Sequence, residues 1–287
     1  RALWGGAFLF FIAYFLLVFL GAYLGSSVIS TFVKMIPKFV TNGLNAASGM
    51  LPALGIAMSK YEKLISTLYQ NDLNVVVADY PNCGRNLPLV SADIDFGYAN
   101  LLNNFIPQLE KIALETTRQK PILFGHSLGG HLATLYTQNH DNKVIGIATG
   151  NIGFKNWDLK GKFNILKAVT VINTMILKDG YFAGYKISFG NRETKSLMRD
   201  WSKVVFTGHY RHIIGLENIV KNDALFISLL GDDFAPMRSM LALSCYFKHP
   251  QIETLDLTRQ LKGNQHAVWI KQPNEVVKLI QEWLNHA

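Results

Sequence analysis

The chain has 287 residues, of which 49% are hydrophobic and only 17% charged; 28 Lys and Arg against 20 Asp and Glu leave a net charge of +8. That length suffices for one large domain or two small ones, and so apolar a composition excludes a disordered tail or a coiled coil. Two cysteines, Cys83 and Cys245, exclude a disulfide scaffold and a Cys-rich zinc module.

Charge and hydrophobicity are unevenly placed along the chain. After Arg1 the next charged residue is Lys34, and Leu3 to Leu24 is almost wholly apolar. These 22 residues, at about 1.5 Å each, reach roughly 33 Å, the thickness of a bilayer's hydrocarbon core. Trp4 and Tyr23 lie near the two ends, where aromatic rings prefer the membrane interface. The run is longer than a usual signal-peptide core and no small-residue cleavage site follows, so residues 1–33 are expected to form a single-pass N-terminal membrane anchor. With Arg1 on one side and Lys34 and Lys38 on the other, the charges leave the orientation open.

Residues 34–150 are expected to form the first half of a globular core. Asn45 to Met50 is a stretch of small residues, expected to be a turn before the first helix. Met58–Gln70 places Tyr61, Leu64, Ile65 and Leu68 on one helical face, and Val75–Ala78 reads as a strand buried on both sides. Tyr98–Thr117 reads as an amphipathic helix, Pro121–Phe124 as a strand, His131–Gln138 as a helix and Val144–Ala148 as a strand. This alternation predicts an α/β fold whose mostly parallel sheet is covered on both faces by helices.

From 151 to 222 the alternation stops. The segment is aromatic and basic, with 12 Lys and Arg against 5 Asp and Glu, so it carries +7 of the +8. An irregular insert between two halves of an α/β sheet reads as a cap or lid, and its charge suits an anionic membrane surface, membrane lipid or an anionic ligand. A nucleic-acid partner is not expected: there is no RNA-recognition signature, Cys/His finger or heptad-linked basic helix. The pattern resumes over 223–287, with strands at Ala224–Leu230 and Ile252–Leu257 and a closing helix at Asn274–Asn285.

The sharpest motif, Gly125-His126-Ser127-Leu128-Gly129, falls between a predicted strand and a predicted helix. A nucleophilic serine on such a turn has a strained backbone, and the small residues Gly125 and Gly129 leave room for it. Serine needs a base and a third group to orient that base. His126 and His131 flank the turn too closely, His140 and His286 sit on or beyond helices, His209 and His212 lie in the insert, and His249 opens a strand. His266, in the loop after the last strand, is the expected base. The acid should follow a strand end; Asp232, in Gly231-Asp232-Asp233-Phe234-Ala235-Pro236, is preferred and Asp233 is the alternative. Two backbone N–H groups should hold the oxyanion. Leu128 supplies one, and Met50 is nominated for the other. No metal or organic cofactor is expected; His209 and His212 lack a carboxylate at ligand spacing.

Together these residues resemble the α/β-hydrolase superfamily, and within it a branch of mostly bacterial predicted hydrolases. The resemblance rests on Ala47-Ser48-Gly49, Asp79 to Asn86, the Gly-His-Ser-x-Gly-Gly elbow at Gly125 to Gly130, and a cap pattern at Gly180-Tyr181-Phe182-Ala183-Gly184 with Phe189-Gly190 and Trp201. Pro81, Asn82, Asn86 and Ala183 depart from that pattern. The resemblance implies a serine hydrolase with Ser127, Asp232 and His266 as its triad. Carboxylic esters with an apolar acyl chain are the expected substrates. Acyl transfer or amide cleavage on the same residues, and a catalytically silent lipid- or partner-binding protein, are the alternatives.

Overall fold

The computed structural model describes residues 47–286. The expected anchor over 1–33 lies outside the described residues. Among the described residues no helix is long and apolar enough to cross a membrane.

Six strands form one parallel sheet in the order β2-β1-β3-β4-β7-β8. They are β1 (Ala47–Leu51), β2 (Asn74–Val77), β3 (Ile122–His126), β4 (Val144–Ile147), β7 (Ala224–Leu229) and β8 (Gln251–Leu255). The short β5 (Phe182–Ala183) and β6 (Arg192–Glu193) pair antiparallel within the insert. The helices that pack on the sheet are α1 (Glu62–Gln70), α2 (Ile106–Thr117), α3 (Leu128–Tyr136), α6 (Met237–Ser244) and α7 (Asn274–His286). The insert adds α4 (Leu159–Asp179) and α5 (Lys195–Thr207).

The apolar strand runs are buried on both faces, with neighbouring side chains going to opposite cores. On one face Leu51, Leu123 and Phe226 pack with Ile106, Leu109 and Leu132. On the other, Met50, Phe124, Leu225 and Ile227 pack with Leu64, Leu68, Val277 and Trp283. Each apolar stripe of α1 and α7 therefore has a face to bury.

Two expected boundaries move. The small residues Ala47-Ser48-Gly49 are strand, not turn: a Cβ on Gly49 would already touch Leu109 at 3.4 Å, so small side chains let α2 approach β1. Helix α3 starts at Leu128, three residues before the predicted His131. Its glycines are poor helix formers, which hides the start, but they are needed there. A Cβ on Gly129 would lie 2.0 Å from the Leu51 carbonyl oxygen.

The insert also proves regular. Asp158 caps α4 by accepting the Gly161 N–H, and Gly180 ends it at φ 77°. Thr194 caps α5 through the Leu197 N–H, and Gly208 ends it at φ 71°.

One side chain of the insert sets a pH response. Glu193 is buried, and burial pushes its pKa from 4.5 up to about 8. The folded state thus holds a proton that the unfolded chain releases. Its contribution to stability is complete below pH 4.5 and is lost as pH rises through about 8. Glu193→Gln is expected to flatten the fall in Tm across that window and to raise Tm by a few degrees at its alkaline end, read by thermal unfolding. An unchanged profile would show that Glu193 is not the titrating group.

Candidate active site

Strand order reverses at β1: the chain moves from β1 outward to β2, then returns to place β3 on β1's other side. In an open parallel sheet such a switch point leaves a crevice beyond the strands' carboxyl ends. The sequence-predicted residues gather there. Ser127 follows β3, Asp232 follows β7, and His266 follows β8 in the short helical turn Gln265–Val268.

Ser127 has φ 52° and ψ −112°, a conformation that strains a side-chain-bearing residue. The turn is locked from several sides. The Ser127 N–H donates to the Ile147 carbonyl at 3.1 Å, and its own carbonyl accepts from Gly130 N–H at 2.9 Å and from Thr149 Oγ1 at 2.7 Å. A Cβ on Gly125 would fall 2.2 Å from the Gly129 carbonyl carbon. Both glycines flanking the serine are therefore required by backbone contact.

Ser127 Oγ lies 2.9 Å from His266 Nε2, and His266 Nδ1 lies 2.9 Å and 3.1 Å from the two carboxylate oxygens of Asp232. Asp232 is buried; its Oδ1 also accepts the N–H groups of Phe234 at 2.8 Å and Ala235 at 3.0 Å. Those two bonds fix the carboxylate before any proton moves. Asn264 Oδ1 accepts the His266 N–H at 3.1 Å and so holds the turn that carries the imidazole. Asp233 is exposed, and its backbone carbonyl accepts from Trp157 Nε1 at 3.4 Å.

Met50 does not reach this site. It is a fully buried residue inside β1, in register with Val77 of β2 and Phe124 of β3, and its backbone belongs to the sheet ladder. That corrects its nomination as an oxyanion donor. The residues that follow β1 lie nearer: Ala53 and Leu54 line a cavity of 270 Å³ together with Ser127, Leu128 and His266. The pointer in the sequence was the Pro52-Ala53-Leu54-Gly55 turn after an apolar strand.

A buried network, not foreseen from the sequence, joins the two sides of the crevice. His126 Nε2 donates to the His266 carbonyl at 2.8 Å, so its Nδ1 accepts from Tyr61 Oη at 2.7 Å. Tyr61 Oη in turn accepts the Ala53 N–H at 3.0 Å. Burial, reinforced by the neighbouring His266, lowers the His126 pKa to about 3 and keeps the ring neutral. His131, at the cavity wall, donates from Nε2 to the Gly150 carbonyl at 2.7 Å, and burial lowers its pKa to about 4. Neither ring is poised to take a proton near neutrality.

The insert roofs the cavity with Phe189, Gly190 and Trp201. A Cβ on Gly55, which has φ 69°, would lie 2.5 Å from Gly190 Cα, so the roof rests directly on the turn after β1. Elsewhere in the insert, His212 Nε2 approaches Asp200 at 3.7 Å. Among the described residues no group of three His, Cys, Asp or Glu side chains is placed to hold a metal ion.

A family model described as "alpha/beta hydrolase fold" matches residues 42–169. The chain has the fold of the α/β hydrolases. Solved structures agree. A carboxylesterase of the thaumarchaeon Nitrososphaera gargenis superposes with TM-score 0.59 at 14% identity, covering 91% of this chain and 96% of its own. A thermophilic esterase of Thermogutta terrifontis gives 0.54 at 13% identity, covering 85% and 91%. Mouse α/β hydrolase domain-containing protein 10 gives 0.54 at 14% identity, covering 88% and 98%. At such identities the likeness is one of fold. A second model, the sorbose-specific IIC component of the PTS system, matches residues 1–72. Where the two models overlap within the described residues, the chain forms β1 and α1 of the hydrolase fold. No curated protein sequence matches the chain.

Proposed function

We propose that the chain is a serine hydrolase that cleaves carboxylic esters. The observation that carries this reading is the unbroken hydrogen-bonded series from Ser127 Oγ through His266 to the buried Asp232. Ser127 attacks the acyl carbonyl as His266 Nε2 takes its proton. Asp232 holds the imidazole with Nδ1–H toward itself and stabilises the imidazolium. His266 then protonates the leaving alcohol, and water resolves the acyl-enzyme by the same steps in reverse order. The N–H groups of Leu128 and Leu54 hold the oxyanion. Leu128 opens α3, where the N–H groups have no partner within the helix and the helix dipole is positive.

The cavity's 270 Å³ lies just below the usual range of roughly 300–1,000 Å³ for small-molecule sites. Its walls, with Leu54, Ile152, Phe189 and Trp201, favour an apolar acyl group. Residues 1–33 form the membrane anchor and 151–222 the cap in this reading.

A fluorophosphonate probe tests the chemistry without knowledge of the natural ester, because it needs only an activated serine. The wild-type chain is expected to be labelled at Ser127, with parallel loss of turnover on p-nitrophenyl esters. A chain left unlabelled would turn the reading toward a silent, ligand-binding hydrolase fold.

A further inference from the structure

Helix α4 has two apolar faces. The inner one, with Ile165, Val169, Ile172 and Ile176, is buried. The outer one is bare: Leu159 is 85% exposed, Phe163 70%, Leu166 38% and Leu177 83%. At about 100° per residue these four fall with Thr170 into one narrow stripe. Leaving 83% of a leucine in water is unfavourable for an isolated side chain; four in line, over about 27 Å of helix, form a surface that wants covering.

The surroundings of the stripe say what covers it. Lys160, Lys167 and Lys178 run along one edge and Lys162 along the other. No acidic residue lies between the N-cap Asp158 and Asp179, and Asp179 is paired with Lys186 at 2.8 Å. An apolar stripe edged by unopposed lysines is the pattern of a helix lying in the plane of an anionic bilayer. There the leucines enter the acyl boundary and the lysine stems reach back to the phosphates. The apolar Leu3–Leu24 run, long enough to span a bilayer, would hold the chain at such a surface.

We propose that the outer face of α4 docks on an anionic lipid bilayer. The proposal rests on the reading of 151–222 as a cap and does not depend on ester chemistry. Its consequence for the site is steric. The inner residues Ile172 and Ile176 share a cluster with Leu54, Phe189 and Trp201, which line the cavity beside Ser127. Docking would therefore set the cavity about one helix diameter, ~10 Å, from the lipid. A lipid-borne acyl ester could then enter without crossing bulk water.

The test uses the full chain with Phe163→Trp, an exposed position that tolerates the larger ring. Wild type and variant are reconstituted into vesicles whose acyl chains carry bromine, in phosphatidylcholine alone or mixed with phosphatidylglycerol. Tryptophan quenching above the wild-type background is expected in the anionic vesicles. Each lysine of the edge replaced by Gln should lower the docking equilibrium constant about fivefold. Equal quenching in both lipids, or none in either, overturns the proposal. A dimer abolished by Leu159→Ser and Phe163→Ser, with no quenching, also overturns it and assigns the stripe to a second copy. Ester turnover is measured in the same vesicles. Turnover lost with quenching intact counts against the hydrolase reading alone.

Discussion

Ser127→Ala and His266→Ala are each expected to lower kcat for ester hydrolysis by about 10⁶-fold, and the double substitution to lower it no further. The reason is geometric. The serine proton leaves along a single 2.9 Å contact to His266 Nε2. With either partner gone there is no second route, since His126 and His131 are both held neutral as hydrogen-bond donors to carbonyls. A residual rate of roughly 10³-fold over water should survive from the oxyanion donors and substrate binding. Initial rates on a p-nitrophenyl ester, with circular dichroism to confirm folding, provide the measurement. A His266→Ala loss below tenfold would remove His266 from the role of base.

The second large effect separates two neighbouring acids. Asp232→Asn is expected to cost about 10⁴-fold in kcat, with KM nearly unchanged. Asp232 meets N–H groups on two sides, from His266 and from Phe234 and Ala235. An amide cannot accept from both sets with its NH₂ end, so the imidazole is turned toward the wrong tautomer or loses its anchor. Asp233→Asn should stay within about threefold of wild type, because that side chain is exposed and outside the series. Comparable losses at both positions would show that the loop, not one carboxylate, is what matters.

These expectations trace to residues whose roles are visible locally. A serine between glycines at a strand-to-helix junction announces its own strain, and the order serine, acid, histidine along the chain needs no distances. The alternating apolar runs likewise reveal a parallel sheet, because each strand must be buried on both faces. What escaped were features made by packing between distant segments. Ala47-Ser48-Gly49 resembles a turn by composition, yet it is a central strand whose small residues admit α2, and Met50 was misplaced with it. The Tyr61–His126 bond joins residues 65 apart, and the His126–His266 bond joins residues 140 apart. No spacing rule encodes either. The outer stripe of α4 was present in the sequence. Its meaning depended on which apolar face the rest of the molecule covers.

The pairing of β4 directly with β7 has a further consequence. The insert leaves the sheet at the carboxyl end of β4 and re-enters at the amino end of the adjacent parallel β7, so its two ends are held a fixed strand length and one strand spacing apart whatever lies between. For a loop with fixed ends, closure entropy grows only with the logarithm of length, about 0.6 kcal/mol per doubling. The roof over Ser127 is thus the part of the molecule that lineages can lengthen, shorten or exchange at little cost to folding, while the strand ends beneath it cannot shift. Related chains should diverge in substrate range by remodelling this span before they alter the chemistry below.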